Sequence, residues 1–147
     1  MGDPGRVDIL LVEDSPYERE LTRRALKKAD PAISVFEVRD GQEALEFIFA
    51  KGAYAHRAGE APPRLVLLDL RLPKLSGLEA LREIKASDET KVIPVVVLTS
   101  SQEERDITDS YRFGANSYMI KPADLDEFVD CVSKVGDYWL TCNRLPR

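Results

Sequence analysis

The sequence predicts an α/β fold, a doubly wound parallel sheet of five strands accompanied by five helices. Short apolar runs of strand length alternate along the chain with segments of helical periodicity, an order typical of repeated βα units. The first, third and fourth apolar runs are aliphatic at successive positions, which indicates strands that are covered on both faces. In a parallel sheet the right-handed crossover connections place helices on both faces, so we expect a parallel sheet.

Local signals place the individual elements. Ser15 followed by Pro16 is typical of a helix start, since a capping hydroxyl and a fixed φ both suit the first turn. Pro94 lies near the start of strand four, where a missing N–H is tolerated, and Asp124 is a candidate cap for the last helix. The predicted strands are 7–12, 33–38, 65–68, 92–98 and 117–120, and the predicted helices are 16–29, 42–51, one around 78–84, 103–113 and one after residue 124.

Two segments allow more than one interpretation. The stretch from Gly52 to Arg64 is the longest predicted loop, and it is either a tolerated surface insertion or an element that shapes a partner contact. On the last helix we interpret one stripe mainly as core, whereas Cys131 and Tyr138, with Tyr111 of helix four, form a candidate partner surface. The stripe consists of Leu125, Phe128, Val129, Val132, Val135 and Trp139.

Composition narrows the functional classes. A chain of 147 residues with 44% hydrophobic and 32% charged residues predicts one soluble domain, residues 1–147, with residues 1–6 as a disordered tail. A net charge of −5 without a basic run argues against nucleic-acid binding. No apolar run approaches the roughly 18 residues of a membrane span, and the start of the chain lacks an apolar signal segment. We therefore expect a cytoplasmic protein with Cys131 and Cys142 reduced, and a single histidine, His56, argues against zinc or triad chemistry.

Polar residues follow four of the five predicted strands at the point where each strand ends. They are Glu13–Asp14, Asp69, Thr99 and Lys121. In open α/β sheets ligands bind outside the carboxyl ends of the strands, and the strand order 2-1-3-4-5 would bring these four ends together. Two supporting acids, one further carboxylate, one hydroxyl and one ammonium at this edge predict a magnesium-dependent site that accepts a phosphoryl group.

Each residue has a chemical role in this hypothesis. Because Mg²⁺ prefers oxygen ligands and keeps several waters, Asp14 and Asp69 would bind the ion directly and Glu13 through a water. The backbone carbonyl of Arg71 would supply a further oxygen, and Mn²⁺ is an alternative ion. The ion and Lys121 would neutralise the phosphoryl oxygens while the carboxylate of Asp69 attacks in line.

The same residues also have purely structural interpretations. A strand-end aspartate such as Asp69 is often only a cap, and Glu13–Asp14 could serve the N-terminus of helix one. Thr99 could cap helix four, and Lys121 could be a solvated surface lysine. Four coincidences at the four relevant strand ends are less plausible than one shared site, so the sequence favours the chemical hypothesis.

The motifs around these residues resemble the receiver domain of two-component response regulators. The resemblance spans about Val7 to Trp139 and rests on ILLVEDS, LVLLDLRLPKLSG, PVVVLTSS and GANSYMIKP. It implies a flavodoxin-like fold, with Asp69 as the phosphoacceptor and Thr99 as the switch hydroxyl. It also implies that Tyr118 is a switch aromatic that turns inward, and that the Lys121–Pro122 bond is cis.

The resemblance narrows to stand-alone regulators partnered with phytochrome-type sensor kinases. It rests on the long segment after helix two, the stretch DITDSYRFGANSYMIKP and the terminal DYWL. It implies a sensor histidine kinase as phosphodonor and a homodimer through the face of helix four, strand five and helix five. Because the chain ends soon after the last helix, we expect no effector domain, and no enzymatic activity other than promoting its own phosphorylation and dephosphorylation.

Three functional hypotheses are therefore compared. The first is a stand-alone regulator that changes its protein contacts when phosphorylated, and the second is a phosphorelay shuttle or phosphate sink without output of its own. The third is a small α/β hydrolase or flavin-binding module. A hydrolase of this type needs a second aspartate two residues after its nucleophile, and Arg71 occupies that position. In a flavin-binding module, Glu13–Asp14 would repel the flavin phosphate.

Arg71 and Ser101 also flank the expected path of hydrolytic water, so we hypothesise that the bulk of Arg71 slows dephosphorylation.

Overall fold

The computed structural model describes residues 6–146, so the expected N-terminal tail, apart from Arg6, lies outside the described residues. The strands are β1 (Ile9–Val12), β2 (Val35–Val38), β3 (Leu65–Leu68), β4 (Val95–Thr99) and β5 (Ser117–Ile120). The helices are α1 (Pro16–Ala29), α2 (Gly41–Phe49), α3 (Gly77–Ala86), α4 (Glu104–Arg112) and α5 (Leu125–Asp137). The strands form one parallel sheet in the order β2-β1-β3-β4-β5, which confirms the predicted fold class and strand order.

The core consists of two layers, one on each face of the sheet. Successive side chains of a strand point to opposite faces, and every residue of β1, β3 and β4 is buried. The layer beneath α2 and α3 includes Leu10, Val12, Val66, Leu68, Val95 and Val97. The layer beneath α1 and α5 includes Ile9, Leu11, Leu65, Leu67, Val96 and Leu98. This double coverage explains why the strands are aliphatic at successive positions.

Several predicted bounds are wrong by one to three residues, whereas those of α1, β3 and β5 are correct. Strand β4 begins after Pro94, because proline has no N–H to donate to the ladder, although its carbonyl accepts from Val66 at 2.9 Å. Both predicted caps are confirmed: Ser15 accepts from the Glu18 N–H and Asp124 from the Glu127 N–H.

The apolar stripe of α5 is core except at its first residue. Phe128 and Val132 are buried, and Trp139, in a π-helical turn (Tyr138–Cys142) that continues α5, is partly buried against the same layer. Leu125 is 51% exposed, so its assignment to the core was wrong. The reason is its position, since α5 begins at the carboxyl edge of the sheet and its first residue does not lie over the sheet face.

The predicted loop from Gly52 to Arg64 contains a 3₁₀ helix over Gly52–Arg57. Its formation is explained by aromatic packing, because the Tyr54 ring lies edge-on to Phe36 and Phe47 at centroid distances of 5.7 and 5.2 Å. The guanidinium of Arg57 lies 3.8 Å from the centroid of the Phe47 ring. The segment therefore covers the outer strand β2 and is part of the packed structure.

The structure of residues 6–146 also bears on the expectations about membrane spans, His56 and the two cysteines. None of the helices in this part of the chain is long and apolar enough to cross a membrane. His56 is exposed, as expected for a surface residue. Cys131 and Cys142 are both free thiols.

Two glycines fix the loop that follows β3. The Gly41 N–H donates to the carbonyl of Leu75 at 3.2 Å, and the Gly77 N–H donates to the carbonyl of Leu70 at 3.0 Å. A Cβ atom on Gly41 would lie 2.2 Å from the Leu75 oxygen, and one on Gly77 would lie 2.1 Å from the backbone oxygen of Asp69. Only glycine fits at these contacts, so the N-terminus of α2 holds the loop in place.

We expect Gly41→Ala to lower the free energy of unfolding by about 1–3 kcal/mol, the usual cost of overpacking. Alanine ordinarily stabilises a helix relative to glycine, so the sign of the change identifies the clash with Leu75. Urea unfolding followed by circular dichroism measures it. Gly136→Ala in α5 is the matched control, because its new Cβ would meet only the flexible end of Leu26. Unchanged or higher stability of Gly41→Ala would contradict the interpretation.

Candidate functional site

Lys121, which directly follows β5, binds three carboxylates. Its Nζ lies 2.6 Å from Glu13 Oε1, 2.7 Å from Asp69 Oδ2 and 3.0 Å from Glu18 Oε1. A lysine ammonium has three N–H donors, so each donor has one carboxylate partner. The side chains of Lys121, Glu13 and Asp69 are 8%, 4% and 9% exposed, whereas that of Glu18 is 37% exposed. The cluster is therefore nearly closed, with Glu18 at its rim.

The sheet positions these side chains at its carboxyl edge. Glu13 directly follows β1, Asp69 directly follows β3, and Thr99 is the last residue of β4. The backbone N–H of Lys121 donates to the carbonyl of Thr99 at 2.7 Å, which aligns the ends of β4 and β5. The strand order thus brings Glu13, Asp69 and Lys121 into direct contact, as the sequence indicates.

Asp69 is held in its charged form. Burial alone would raise the pKa of Asp69, but the charge and the hydrogen bond of Lys121 outweigh burial. The backbone N–H of Arg71 donates to Asp69 Oδ1 at 3.1 Å and also favours the charged form. The pKa of Asp69 therefore lies below its ordinary value, and the carboxylate is in the state that a nucleophile or a metal ligand requires.

The pKa values of Lys121 and Glu13 are shifted by burial, by Asp69 and by each other. Burial would lower the pKa of Lys121, but its hydrogen bonds to Asp69 and Glu13 and their charges raise it, so the ammonium stays protonated. The pKa of Glu13 is raised to about 7, because burial and the charge of Asp69 together outweigh the hydrogen bond and charge of Lys121, which lower it. Of Glu13, Asp69 and Lys121, Glu13 is therefore the group whose pKa lies near neutral pH.

Thr99 and Tyr118 lie on the neighbouring strands β4 and β5. Thr99 is fully buried, and its hydroxyl accepts a long hydrogen bond of 3.4 Å from the Ser101 N–H. The partly buried hydroxyl of Tyr118 donates to the carbonyl of Ser101 at 2.9 Å. The cap of α4 is Glu103, without a side-chain hydrogen bond. Thr99 therefore does not cap that helix, and both Thr99 and Tyr118 contact the loop before α4.

The Arg71 side chain connects the loop after β3 to α4. Its Nη2 lies 3.0 Å from Asp106 Oδ2 and 3.8 Å from Glu103 Oε1. The same Asp106 oxygen accepts a hydrogen bond of 2.5 Å from the Ser101 hydroxyl. Because Arg71 is 62% exposed, the ion pair contributes little to stability. Its consequence is geometric, since it joins the two loops of the site to α4.

The oxygen atoms near Asp69 suit a hard cation. Asp14 is exposed at the same edge, and the carboxylate and carbonyl oxygens of the predicted ligands are the donor type that Mg²⁺ prefers. Residues 6–146 contain no ready-made group of three or more acidic, histidine or cysteine side chains for a metal. Since Mg²⁺ keeps several waters and needs only one or two protein carboxylates, Asp14 and Asp69 fit the ion.

Sequence reasoning missed Glu18. It lies three residues after the cap Ser15, a spacing typical of a capping box in which the glutamate would accept from the N–H of the cap residue. That N–H instead donates to Glu13 Oε2 at 3.1 Å. The carboxylate of Glu18 therefore reaches Lys121. The available signal was an acid in the first turn of α1, at the edge where Glu13 also lies.

The predicted cis bond between Lys121 and Pro122 is wrong, since the described part of the chain contains no cis peptide bond. A trans bond before proline is favoured by about 0.5–1 kcal/mol. With this trans bond Lys121 makes all three of its carboxylate contacts, so nothing in the site requires the cis form.

The fold and the site define a class of protein, the small flavodoxin-like domain with a carboxylate–lysine cluster at the carboxyl edge of its sheet. Within this class the chain belongs to the response regulator receiver domain family, whose model matches residues 9–133. The resemblance predicted from the motifs is thereby confirmed, and the protein is a receiver domain of a two-component system.

Three relatives show how close this membership is. The probable methanogenesis regulatory protein FilR2 of Methanothrix harundinacea is 40% identical over 138 residues, which cover 94% of this chain and 86% of that protein. The response regulator Rcp1 of Synechocystis is 39% identical over 138 residues, which cover 94% of this chain and 92% of that protein. Phosphorylated RcpA, a cyanobacterial phytochrome response regulator, superimposes with a TM-score of 0.89 at 39% identity, covering 97% of this chain and 99% of its own. The predicted likeness to phytochrome response regulators is confirmed.

We expect Asp69→Asn to lower the pKa of Glu13 from about 7, because the charge of Asp69 is one cause of its elevation. Burial, the largest cause, remains, so the pKa stays above the ordinary value of 4.5. A carboxyl ¹³C NMR titration of the metal-free protein measures the shift. Glu43→Gln, an acid replaced outside the cluster, is the control and should leave the value unchanged. An unchanged or raised Glu13 pKa in Asp69→Asn would contradict the electrostatic account.

Proposed function

We propose that Asp69 of this receiver domain accepts a phosphoryl group from the phosphohistidine of a sensor kinase in a Mg²⁺-dependent reaction, and that the modified domain changes its protein contacts. The observation that carries the proposal is the contact between a charged, nearly buried carboxylate and a protonated lysine at the carboxyl edge of the sheet. A carboxylate nucleophile with a cation beside it suits phosphoryl transfer, which depends mainly on positioning and charge neutralisation.

The proposed step forms a bond between an Asp69 carboxylate oxygen and phosphorus while the bond from phosphorus to the donor histidine nitrogen breaks. The electron pair of the broken bond returns to the imidazole. Lys121 already lies 2.7 Å from Asp69 Oδ2 and would neutralise part of the phosphoryl charge, and the Thr99 hydroxyl would donate to a phosphoryl oxygen. The buried position of Asp69 limits the access of competing water.

Asp14 and Asp69 would hold the divalent cation directly, Glu13 through a water, and the Arg71 carbonyl as a further oxygen ligand. When bound, the cation supplies charge neutralisation at the phosphoryl oxygens. The Mn²⁺-bound form of Rcp1, which superimposes with a TM-score of 0.86 at 39% identity and covers 95% of this chain, supports a divalent ion in this family. We propose Mg²⁺ as the ion here, with Mn²⁺ as an alternative.

The proposed output runs from Thr99 and Tyr118 to the surface of α4, β5 and α5. A phosphoryl group adds charge and strong acceptor oxygens at Asp69, which would draw the Thr99 hydroxyl and release the Tyr118 ring toward the interior. Tyr118 would then give up its hydrogen bond to Ser101. The domain is regulatory, and its chemistry would be limited to promoting its own phosphorylation and dephosphorylation.

We further propose a phytochrome-type histidine kinase as the partner and a homodimer through the face of α4, β5 and α5, in the cytoplasm. The likeness to RcpA, a cyanobacterial phytochrome response regulator, supports the kinase. The dimer is supported by exposed apolar side chains on α4 and β5 and in the turn that continues α5: Tyr111 at 51%, Ile120 at 39% and Tyr138 at 50%. Light scattering with and without beryllofluoride and Mg²⁺ measures the oligomeric state.

A shuttle or phosphate sink is the second candidate function, since it would use the same chemistry without a conformational output. The contacts of Thr99 and Tyr118 with the loop before α4 favour a switch. Incubation of the phosphorylated domain with a histidine phosphotransfer protein separates the two. Rapid onward transfer of the phosphoryl group would support the shuttle.

We expect acetyl phosphate with Mg²⁺ to add one phosphoryl group to the protein, and neither Asp69→Asn nor the native protein with EDTA to be modified. The reason is that the transfer needs both the Asp69 nucleophile and charge neutralisation by the ion. Intact-mass spectrometry measures the modification. Asp88→Asn is the matched control, because this aspartate lies outside the site and should leave the modification intact. A native protein that takes up no phosphoryl group would overturn the proposed function.

We expect Arg71→Ala to shorten the lifetime of the acyl phosphate several-fold, on the hypothesis that the bulk of Arg71 shields the bond from hydrolytic water. The ion pairs with Asp106 and Glu103 would hold the guanidinium in place. The decay of the phosphorylated species by mass spectrometry gives the lifetime. Lys74→Ala removes a cation from the same loop without touching that ion pair, since Lys74 lies 3.7 Å from Asp40 instead. Equal lifetimes for Arg71→Ala and the native protein would show that Arg71 does not shield the bond.

A further inference from the structure

We infer that Glu18 is a positioning residue for phosphoryl-group binding, which it serves by holding the ammonium of Lys121 toward Asp69. The inference rests on the proposed function and concerns the same site. Its starting point is that all three N–H donors of Lys121 point to carboxylates, at 2.6 Å for Glu13, 2.7 Å for Asp69 and 3.0 Å for Glu18.

Two of these three carboxylates have other roles in the proposed reaction. Asp69 is to form the bond to phosphorus, and Glu13 is to hold a water of the metal ion. When both carboxylates are engaged, their attraction for Lys121 weakens. Glu18 has no such second role, so it is the one partner that Lys121 can keep before and after the phosphoryl group arrives.

The local structure of α1 explains why Glu18 is available for this role. Ser15 caps the helix by accepting from the Glu18 N–H at 3.3 Å, which fixes the backbone of the first turn. The Ser15 N–H, which the Glu18 carboxylate would ordinarily bind in a capping box, already donates to Glu13. The carboxylate of Glu18 is therefore free to lean over the rim of the site toward Lys121.

A positioning role and simple charge repulsion predict opposite changes in anion affinity when the Glu18 carboxylate is removed. A negative charge near the site repels an anionic phosphoryl group, so removing the charge alone should tighten anion binding. If Glu18 holds Lys121 in place, its removal frees the ammonium and should weaken anion binding. Binding of the anion must then offset the conformational entropy that the long lysine side chain loses when it becomes ordered.

The test is the affinity for beryllofluoride, an analogue of the phosphoryl group, at saturating Mg²⁺. We expect Glu18→Gln to weaken binding about five-fold. Loss of a fully buried charge-assisted hydrogen bond would weaken it roughly ten-fold or more, and the effect is smaller here because the Glu18 side chain is 37% exposed. Titration of Trp139 fluorescence or of amide NMR signals gives the dissociation constant. Glu20→Gln is the matched control, since Glu20 lies on the same helix but pairs with Arg24, and it should not weaken binding.

A second measurement needs no ligand. Exchange of the Lys121 ammonium protons with water, followed by ¹H–¹⁵N NMR of the metal-free protein, should be faster in Glu18→Gln and unchanged in Glu20→Gln. Equal or tighter beryllofluoride binding by Glu18→Gln would overturn the inference while leaving the proposed function intact. A native protein that neither binds beryllofluoride nor accepts a phosphoryl group would overturn the proposed function itself.

Discussion

The ammonium of Lys121 lies among three carboxylates at the carboxyl edge of the sheet, and the geometry of the site depends on this interaction. Two of the acids are nearly buried, and removing the cation from such a cluster would cost about 3–5 kcal/mol. The same contact keeps Asp69 charged. At Glu13, burial outweighs the effect of Lys121 and raises the pKa to about 7. A phosphoryl group and a divalent cation would have to share these oxygens with Lys121, so the resting cluster occupies the places that the reaction would use.

The fold supplies this interaction through strand order and connects it to the surface. Parallel strands in the order β2-β1-β3-β4-β5 place the ends of β1, β3, β4 and β5 along one edge of the sheet. The close contact at Gly41 fixes the loop that carries Asp69. From that loop Arg71 reaches Asp106 on α4, and Ser101 binds both Asp106 and Tyr118. A change at Asp69 therefore has a short physical route to α4 and β5.

Sequence patterns were sufficient where burial or chain geometry dictates the residue type. The aliphatic runs predicted the parallel sheet, and the polar residues at the strand ends predicted the contact among Glu13, Asp69 and Lys121. The patterns failed where the outcome depends on competition between neighbours. Glu18 was missed because its direction depends on which acid binds the Ser15 N–H, and the 3₁₀ helix was missed because it depends on packing of Tyr54 against distant rings. The predicted cis bond before Pro122 came only from resemblance, and it is wrong.

The most direct test of the central claim, that Asp69 is the nucleophile of this site, is to locate the phosphoryl group chemically. Borohydride reduces an aspartyl phosphate to homoserine, and peptide mass spectrometry of the protein treated with acetyl phosphate and Mg²⁺ identifies the reduced residue. We predict homoserine at position 69 alone. Reduction at Asp14 or at any other carboxylate in place of Asp69 would contradict it.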